Sequence, residues 1–174
     1  MTYTSKDATD AVKPISEKYG VPIHVYRCPG EESKVVDEVV EKASKEVGEI
    51  DIVVVNAGVS MWKDHIDCTD GMSSLHFSAE NLEDLNSVIT VNLLAPLYLS
   101  RSLVRHWLGL PASVTSGSEE KGKREETVNL NKRILMISSI SGLVNMTPQK
   151  QVAYNASKGG LTMAAKVCPI SYPL

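Results

Sequence analysis

The clearest periodic pattern in the chain is an apolar stripe at helical spacing across residues 35–47. Its valines and alanine recur every three or four positions and stop before Gly48, which predicts an amphipathic helix that ends there. Residues 50–55, Ile-Asp-Ile-Val-Val-Val, follow as a short, β-branched, mostly apolar run. Such a run is typical of a parallel strand buried on both faces.

The rest of the chain continues this alternation. Residues 21–27 alternate apolar with polar positions and residues 133–137 are mostly apolar, so both runs predict strands. Helical spacing predicts three more helices, two of which contain a proline: residues 8–19, 79–107 and 152–166. Strands that alternate with helices predict an α/β fold, a parallel sheet with crossover helices, in a single domain over residues 1–174.

Composition narrows the class of protein. The chain has 174 residues, 43% hydrophobic content and a net charge of −3, which suits one soluble domain. Its most charged run, residues 119–126, alternates in sign, so we expect no nucleic-acid partner. No apolar stretch reaches about 18 residues and no signal peptide is recognisable, so we expect no membrane partner and a cytoplasmic location.

One cluster has the residue types of a metal site. His65 and Cys68 lie next to Asp64 and Asp67, but a structural zinc site needs a second ligand pair that the sequence does not offer. The three cysteines form no Cys-x-x-Cys motif. We therefore predict reduced thiols, a solvated loop and no metal.

Tyr154 and Lys158 stand four residues apart on a predicted helix. This spacing places both side chains on one helical face, where an ammonium favours the phenolate form of a nearby phenol. A phenol is otherwise a poor acid or base at neutral pH. The pair is thus a candidate proton-transfer site.

Two predicted strands end in polar or small residues. Asn56, Ala57 and Gly58 follow the strand at residues 50–55, and residues 138–142 (Ser-Ser-Ile-Ser-Gly) follow the next one. In an open α/β sheet, ligands bind beyond the carboxyl ends of the strands. We expect both segments at that edge, with Tyr154 on the following helix facing it.

These motifs occur in the order found in one known family. They are Asn56-Ala57-Gly58, Asn92 within the long middle helix, a strand-end serine, and Tyr154 with Lys158. With them, residues 2–166 resemble the short-chain dehydrogenase/reductase family. Residues 139–155 further resemble its sorbose- and mannitol-dehydrogenase branch, which interconverts ketoses and polyols. The resemblance implies a Rossmann-type sheet and an NAD(P)-dependent oxidoreductase.

The resemblance also implies catalytic roles. Tyr154 would exchange a proton with the substrate oxygen, and Lys158 would lower the pKa of that phenol and hold the nicotinamide ribose. Ser139 would hydrogen-bond the carbonyl or alkoxide oxygen. Asn92, placed by a local break in its helix, would hold a water that links Lys158 to solvent.

Simpler readings of three positions stay open. Ser138 and Ser141 compete with Ser139, because strand-end serines often only satisfy backbone groups. Asn92 can be an ordinary helix residue, and Asn56 an ordinary turn residue.

The cofactor implied is NADP, with NAD possible. Asn56, Ala57 and Gly58 would line the adenosine-side ribose. Ser5 and Lys6 follow the position of the family's second strand, where NADP-preferring members recognise the 2′-phosphate, and no acidic residue is present there to favour NAD.

The family's opening Gly-rich turn has no counterpart here, since the first glycine is Gly20. We therefore expect a chain truncated at both ends relative to a complete member, lacking the first strand, the Gly-rich turn and the first helix. Cofactor binding should be impaired, because that turn anchors the pyrophosphate. The strand at residues 21–27 should lack its natural neighbour. Residues 111–131 should form a mobile insertion.

Two hypotheses of function follow. The first is an oxidoreductase that acts on a small carbonyl or polyol substrate, homo-oligomeric in its complete relatives. The second is a non-catalytic fragment that only associates with a full-length relative, through the helices at residues 79–107 and 152–166.

Overall fold

The computed structural model describes residues 2–3, 8–60, 82–111, 131–144 and 151–167. Several predicted features lie outside these ranges: Ser5 and Lys6, the group around His65 and Cys68, nearly all of the insertion at residues 111–131, and residues 145–149 of the ketose–polyol motif. The chain forms two compact units, Met1–Ile52 with Tyr98–Arg133 and Val53–Leu97 with Ile134–Leu174.

The first unit opens with β1 (Thr2–Tyr3), α1 (Thr9–Tyr19), β2 (Tyr26–Arg27) and α2 (Ser33–Val47). The apolar stripe predicted for α2 is confirmed, because Val36 and Val40 are its buried residues. α1 ends at Gly20, whose φ of 64° is a conformation that favours glycine.

β1 and β2 pair in parallel, with Thr2 opposite Tyr26 and Tyr3 opposite Arg27. Only the last two residues of the predicted strand at residues 21–27 are strand. In the observed register Thr2 lies opposite Tyr26, so residues 21–25 have no residue of β1 opposite them. The expectation that this strand lacks a neighbour is wrong, because β1 is its neighbour.

β3 (Ile52–Val55) and β4 (Arg133–Met136) form a second pair. The N–H of Arg133 donates to the carbonyl of Asp51 at 2.9 Å, and that of Ile137 to the carbonyl of Val55 at 3.0 Å. The partners advance in the same direction by equal steps, so the two strands are parallel, as predicted.

The burial of β3 differs from the sequence prediction. Val55 is buried, but Ile52 and Val54 are 63% and 57% exposed. Alternate residues of a strand face opposite sides of the sheet, so one face of β3 is open to solvent. The prediction of a strand buried on both faces is therefore wrong for this face.

The long middle helix consists of α3 (Leu82–Ile89), a π-helical turn (Thr90–Leu94) and α4 (Ala95–Trp107). In the π turn the N–H of Ala95 donates to the carbonyl of Thr90, five residues back. Pro96 supplies a reason for the break, because it has no N–H for the carbonyl of Asn92 four residues earlier. The expected local break at Asn92 is present.

Among the described residues, the helix Leu82–Trp107 is long enough and apolar enough to cross a membrane. Length and composition alone do not distinguish such a helix from the core helix of a soluble protein. Its Asn92 is fully buried and hydrogen-bonded within the protein. Of the most apolar stretch of this helix, 28% is buried within the protein.

An ion-pair cluster lies where β3 and β4 begin. The Nζ of Lys132 is 2.6 Å from a carboxylate oxygen of Glu49 and 2.8 Å from one of Asp51. These hydrogen bonds raise the pKa of Lys132 above its ordinary value, and the bond to Asp51 has the larger effect. The indole N–H of Trp107 donates to the carbonyl of Ile50 at 2.9 Å, which fixes α4 at the same place.

A short 3₁₀ turn (Ile140–Gly142) follows β4, and α5 (Val152–Val167) completes the second unit. The 3₁₀ turn, the π turn and α3 all contact α5. Ala153 and Leu161 contribute apolar side chains to the buried face of α5. The candidate site lies on the same helix.

Candidate active site

Lys158 is a buried charged residue of the second unit. It is only 4% exposed, and its Nζ donates to the carbonyl of Ile137, at the end of β4, over 2.9 Å. Among the described residues, no carboxylate forms an ion pair with it. Burying an ammonium without a carboxylate partner is costly, so its position requires support from the surrounding dipoles.

Tyr154 supplies part of that support. The Nζ of Lys158 lies 5.9 Å from the centroid of the Tyr154 ring, within the range of a cation–π contact. Tyr154 itself is half-buried. The four-residue spacing therefore brings the phenol and the ammonium to one face of α5, as the sequence predicts.

The three strand-end serines occupy different environments. The hydroxyl of Ser138 donates to the carbonyl of Lys158 at 3.1 Å and is 2.6 Å from the hydroxyl of Thr162, so it is bound to α5. Ser141 is buried. Ser139 is half-buried, and its hydroxyl oxygen accepts the N–H of Ser141 at 3.2 Å. Since a hydroxyl is also a donor, Ser139 is suited to donate to a substrate oxygen.

Asn92 joins two segments of the site. Its amide nitrogen donates to the carbonyl of Val59 at 2.8 Å and to the hydroxyl of Ser157 at 3.1 Å. Its Oδ1 accepts the N–H of Val59 at 2.8 Å. Both amide protons are thus used within the protein, so any water held by this side chain must donate to the remaining lone pair of Oδ1.

The loop after β3 passes close to both Asn92 and Lys158. A Cβ at Gly58 would lie 3.3 Å from the Oδ1 of Asn92 and 3.4 Å from the Nζ of Lys158. Asn56, Ala57 and Gly58 are all exposed. The missing side chain of Gly58 leaves open backbone next to the ammonium.

The 3₁₀ turn approaches α5 even more closely. A Cβ at Gly142 would lie 2.6 Å from the carbonyl carbon of Lys158 and 2.8 Å from the backbone nitrogen of Gly159. Only a glycine permits this backbone contact. The turn that follows Ser139 is thus packed directly against the residue that carries the ammonium.

The structure therefore brings together Gly58, Asn92, Tyr154 and Lys158, with the turn after Ser139 packed on the same helix. Ser157 is a residue that the sequence analysis missed. It is fully buried and bonds both Asn92 and the carbonyl of Tyr154. Ser157 follows Tyr154 by three residues and lies on the apolar side of the helix. That position could have indicated a buried hydroxyl next to the site.

Comparison with known proteins agrees with this geometry. A family model described as short chain dehydrogenase matches residues 1–169. The chain belongs to the short-chain dehydrogenase family. The resemblance stated from the motifs is thereby confirmed.

Relatives within the short-chain dehydrogenase family lie in the ketose–polyol branch, as expected. An NADP-dependent mannitol dehydrogenase of Alternaria alternata is 27% identical over 168 residues, which cover 95% of this chain and 52% of the relative. A sorbose reductase of Candida albicans is 28% identical over 170 residues, which cover 98% and 50%. An L-xylulose reductase of Hypocrea jecorina is 24% identical over 170 residues, which cover 97% of this chain and 54% of the relative. The chain spans about half the length of these relatives.

Solved structures show the same fold. The NADPH-dependent 3-quinuclidinone reductase of Rhodotorula rubra aligns with a TM-score of 0.69 at 22% identity, over 95% of this chain and 52% of that one. A short-chain type dehydrogenase/reductase of Mycobacterium marinum aligns with a TM-score of 0.71 at 19% identity. The alignment covers 95% of this chain and 55% of the other. The expectation of a partial Rossmann-type α/β fold is confirmed.

Proposed function

We propose that this chain carries the catalytic residues of an NADPH-dependent oxidoreductase that interconverts a ketose and a polyol. The observation that carries the proposal is the ammonium of Lys158, buried 5.9 Å from the ring of Tyr154 with the carbonyl of Ile137 as its hydrogen-bond acceptor. Burying this ammonium, which has no carboxylate partner among the described residues, adds nothing to the stability of the fold, whereas a proton-transfer site makes use of the charge.

The described residues fit a nicotinamide dinucleotide on its ribose side. The absent Cβ of Gly58 leaves room beside the ammonium, and the backbone of residues 56–58 is exposed at the carboxyl end of β3. Lys158 would hold the nicotinamide ribose, and Asn56, Ala57 and Gly58 would line the adenosine-side ribose. Ser5 and Lys6 would favour the 2′-phosphate of NADP.

When bound, the nicotinamide supplies or accepts the hydride. Tyr154 would give its phenolic proton to the substrate oxygen during reduction and take it back during oxidation. The positive charge of Lys158 would stabilise the phenolate that forms. Ser139 would donate a hydrogen bond to the substrate oxygen as negative charge develops on it.

The substrate class rests on the relatives. By name, those relatives act on mannitol, sorbose and L-xylulose, all polyols or ketoses. The buried Lys158 beside Tyr154 favours this proposal over a non-catalytic fragment. Association with another chain does not require these two side chains to lie close together in the interior.

A substrate panel tests the proposal. Because we expect cofactor binding to be impaired, the assay supplies NADPH or NADH at high concentration. Under these conditions we expect the folded chain to oxidise NADPH when fructose, sorbose or xylulose is added, and to do so faster with NADPH than with NADH. Glucose, chiefly a closed-ring aldose, is the control and should support little oxidation. Absorbance at the nicotinamide band measures the rate, and circular dichroism verifies folding. A folded chain that oxidises neither cofactor with any ketose would contradict the proposal.

A further inference from the structure

Ser157 is a fully buried hydroxyl that lies between two parts of the site. It donates to the carbonyl of Tyr154 at 2.8 Å, within α5. It also accepts a hydrogen bond from the amide nitrogen of Asn92 at 3.1 Å. Both the donor and an acceptor position of this hydroxyl are therefore used.

Asn92 extends this connection to the loop after β3. The second proton of its amide goes to the carbonyl of Val59 and its Oδ1 accepts the N–H of Val59, both at 2.8 Å. The bonds form one continuous chain from Tyr154 through Ser157 and Asn92 to Val59, which directly follows Gly58.

We propose that Ser157 is a positioning residue that couples α5 to the loop at residues 56–59. Through Asn92 it fixes the distance between the helix that carries Tyr154 and Lys158 and the loop next to the ammonium. The consequence for NADPH rests on the proposed function; the coupling itself does not.

The physical reason is the geometry of a planar amide. Asn92 has one orientation that satisfies Ser157 and both backbone groups of Val59 together. Without the Ser157 hydroxyl, one buried amide proton loses its acceptor, and rotation to find another breaks the bonds to Val59. Removing the Ser157 hydroxyl therefore weakens the hydrogen bonds of Val59, although Ser157 makes no hydrogen bond to Val59 itself.

The test compares Ser157→Ala with Thr162→Val. Thr162 is the matched control, since its hydroxyl also donates to a carbonyl of α5, that of Lys158 at 2.8 Å, but it makes no bond to Asn92. Hydrogen exchange of the Val59 amide, followed by NMR, reads the coupling directly. We expect about tenfold faster exchange in Ser157→Ala, the range of one lost buried hydrogen bond, and little change in Thr162→Val.

Two further measurements distinguish a positioning role of Ser157 from a general loss of stability. In a chain that already carries Asn92→Ala, adding Ser157→Ala should cause no further acceleration at Val59, because both changes break the same connection. The dissociation constant of NADPH should rise several-fold in Ser157→Ala and stay constant in Thr162→Val. Ser157→Cys, whose slightly larger thiol fills the site and forms weaker hydrogen bonds, replaces Ser157→Ala should the alanine variant not fold.

Equal acceleration in both single variants, or unchanged exchange at Val59 in the Ser157 variant, would overturn the inference. Should the unmodified chain bind no NADPH, the proposed function fails, yet the exchange rate at Val59 still decides whether Ser157 couples the two segments.

Discussion

Replacing Gly142 with alanine is expected to destabilise the chain by about 2–3 kcal/mol or more. The new Cβ would lie 2.6 Å from the carbonyl carbon and 2.7 Å from the carbonyl oxygen of Lys158. Non-bonded carbon atoms prefer about 3.5–4.0 Å, and these contacts are backbone atoms of a helix, which cannot rotate away. The 3₁₀ turn must therefore separate from α5, and Ser139, which directly precedes the turn, moves with it.

Gly159→Ala is the matched control for Gly142→Ala. Gly159 lies on the α5 side of the same contact. Among the described residues, its Cβ would meet only the carbonyl oxygen of Gly142, at 3.4 Å, an ordinary contact distance. Alanine is favoured over glycine in a helix interior, so we expect Gly159→Ala to leave the stability unchanged or raise it by up to about 1 kcal/mol. Urea unfolding of both variants measures the difference. Equal stability of the two would show that the turn does not pack on α5 as described.

Lys158→Met should separate stability from activity. Methionine keeps the length of the side chain but removes a buried ammonium without a carboxylate partner among the described residues, so we expect unchanged stability or a gain of about 1 kcal/mol. Ketose reduction should fall by about 10²-fold or more, because the charge that stabilises the Tyr154 phenolate is gone. A gain or no loss in stability beside a large loss in activity is the signature of a residue retained for function.

Lys166→Met is the control for that change. Lys166 lies in the last turn of the same helix and is exposed. Its replacement should alter the rate less than about twofold, since an exposed lysine contributes little at a distance through solvent. Similar rates for the Lys158 and Lys166 variants would exclude the proposed role of Lys158.

Local patterns account for the features that the sequence predicts well. The stripe in α2 and the four-residue spacing of Tyr154 and Lys158 are set within one helix, so the period alone places them. The parallel pairing of β3 with β4 follows from the alternation of strands and helices. The break at Asn92 was expected from the family resemblance, and Pro96 explains it physically.

The features that the sequence does not predict depend on contacts distant in the chain. The hydrogen bonds of Asn92 reach Val59, 33 residues earlier, and Ser157, 65 residues later. No period or motif specifies which buried polar groups will meet across such a separation. The close approach of Gly142 to α5 is likewise a matter of packing, so its role is visible only in the folded chain.

The central claim is that Tyr154 is the proton donor, and the rate of ketose reduction by Tyr154→Phe tests it most directly. Phenylalanine keeps the ring near Lys158 and removes the hydroxyl that carries the transferable proton. We therefore expect the rate to fall by about 10²–10⁴-fold while the thermal unfolding temperature stays within a few degrees. Tyr19→Phe, at an exposed position in α1, should retain the full rate. A folded Tyr154→Phe chain that reduces ketoses at the same rate as the unmodified chain would contradict the claim.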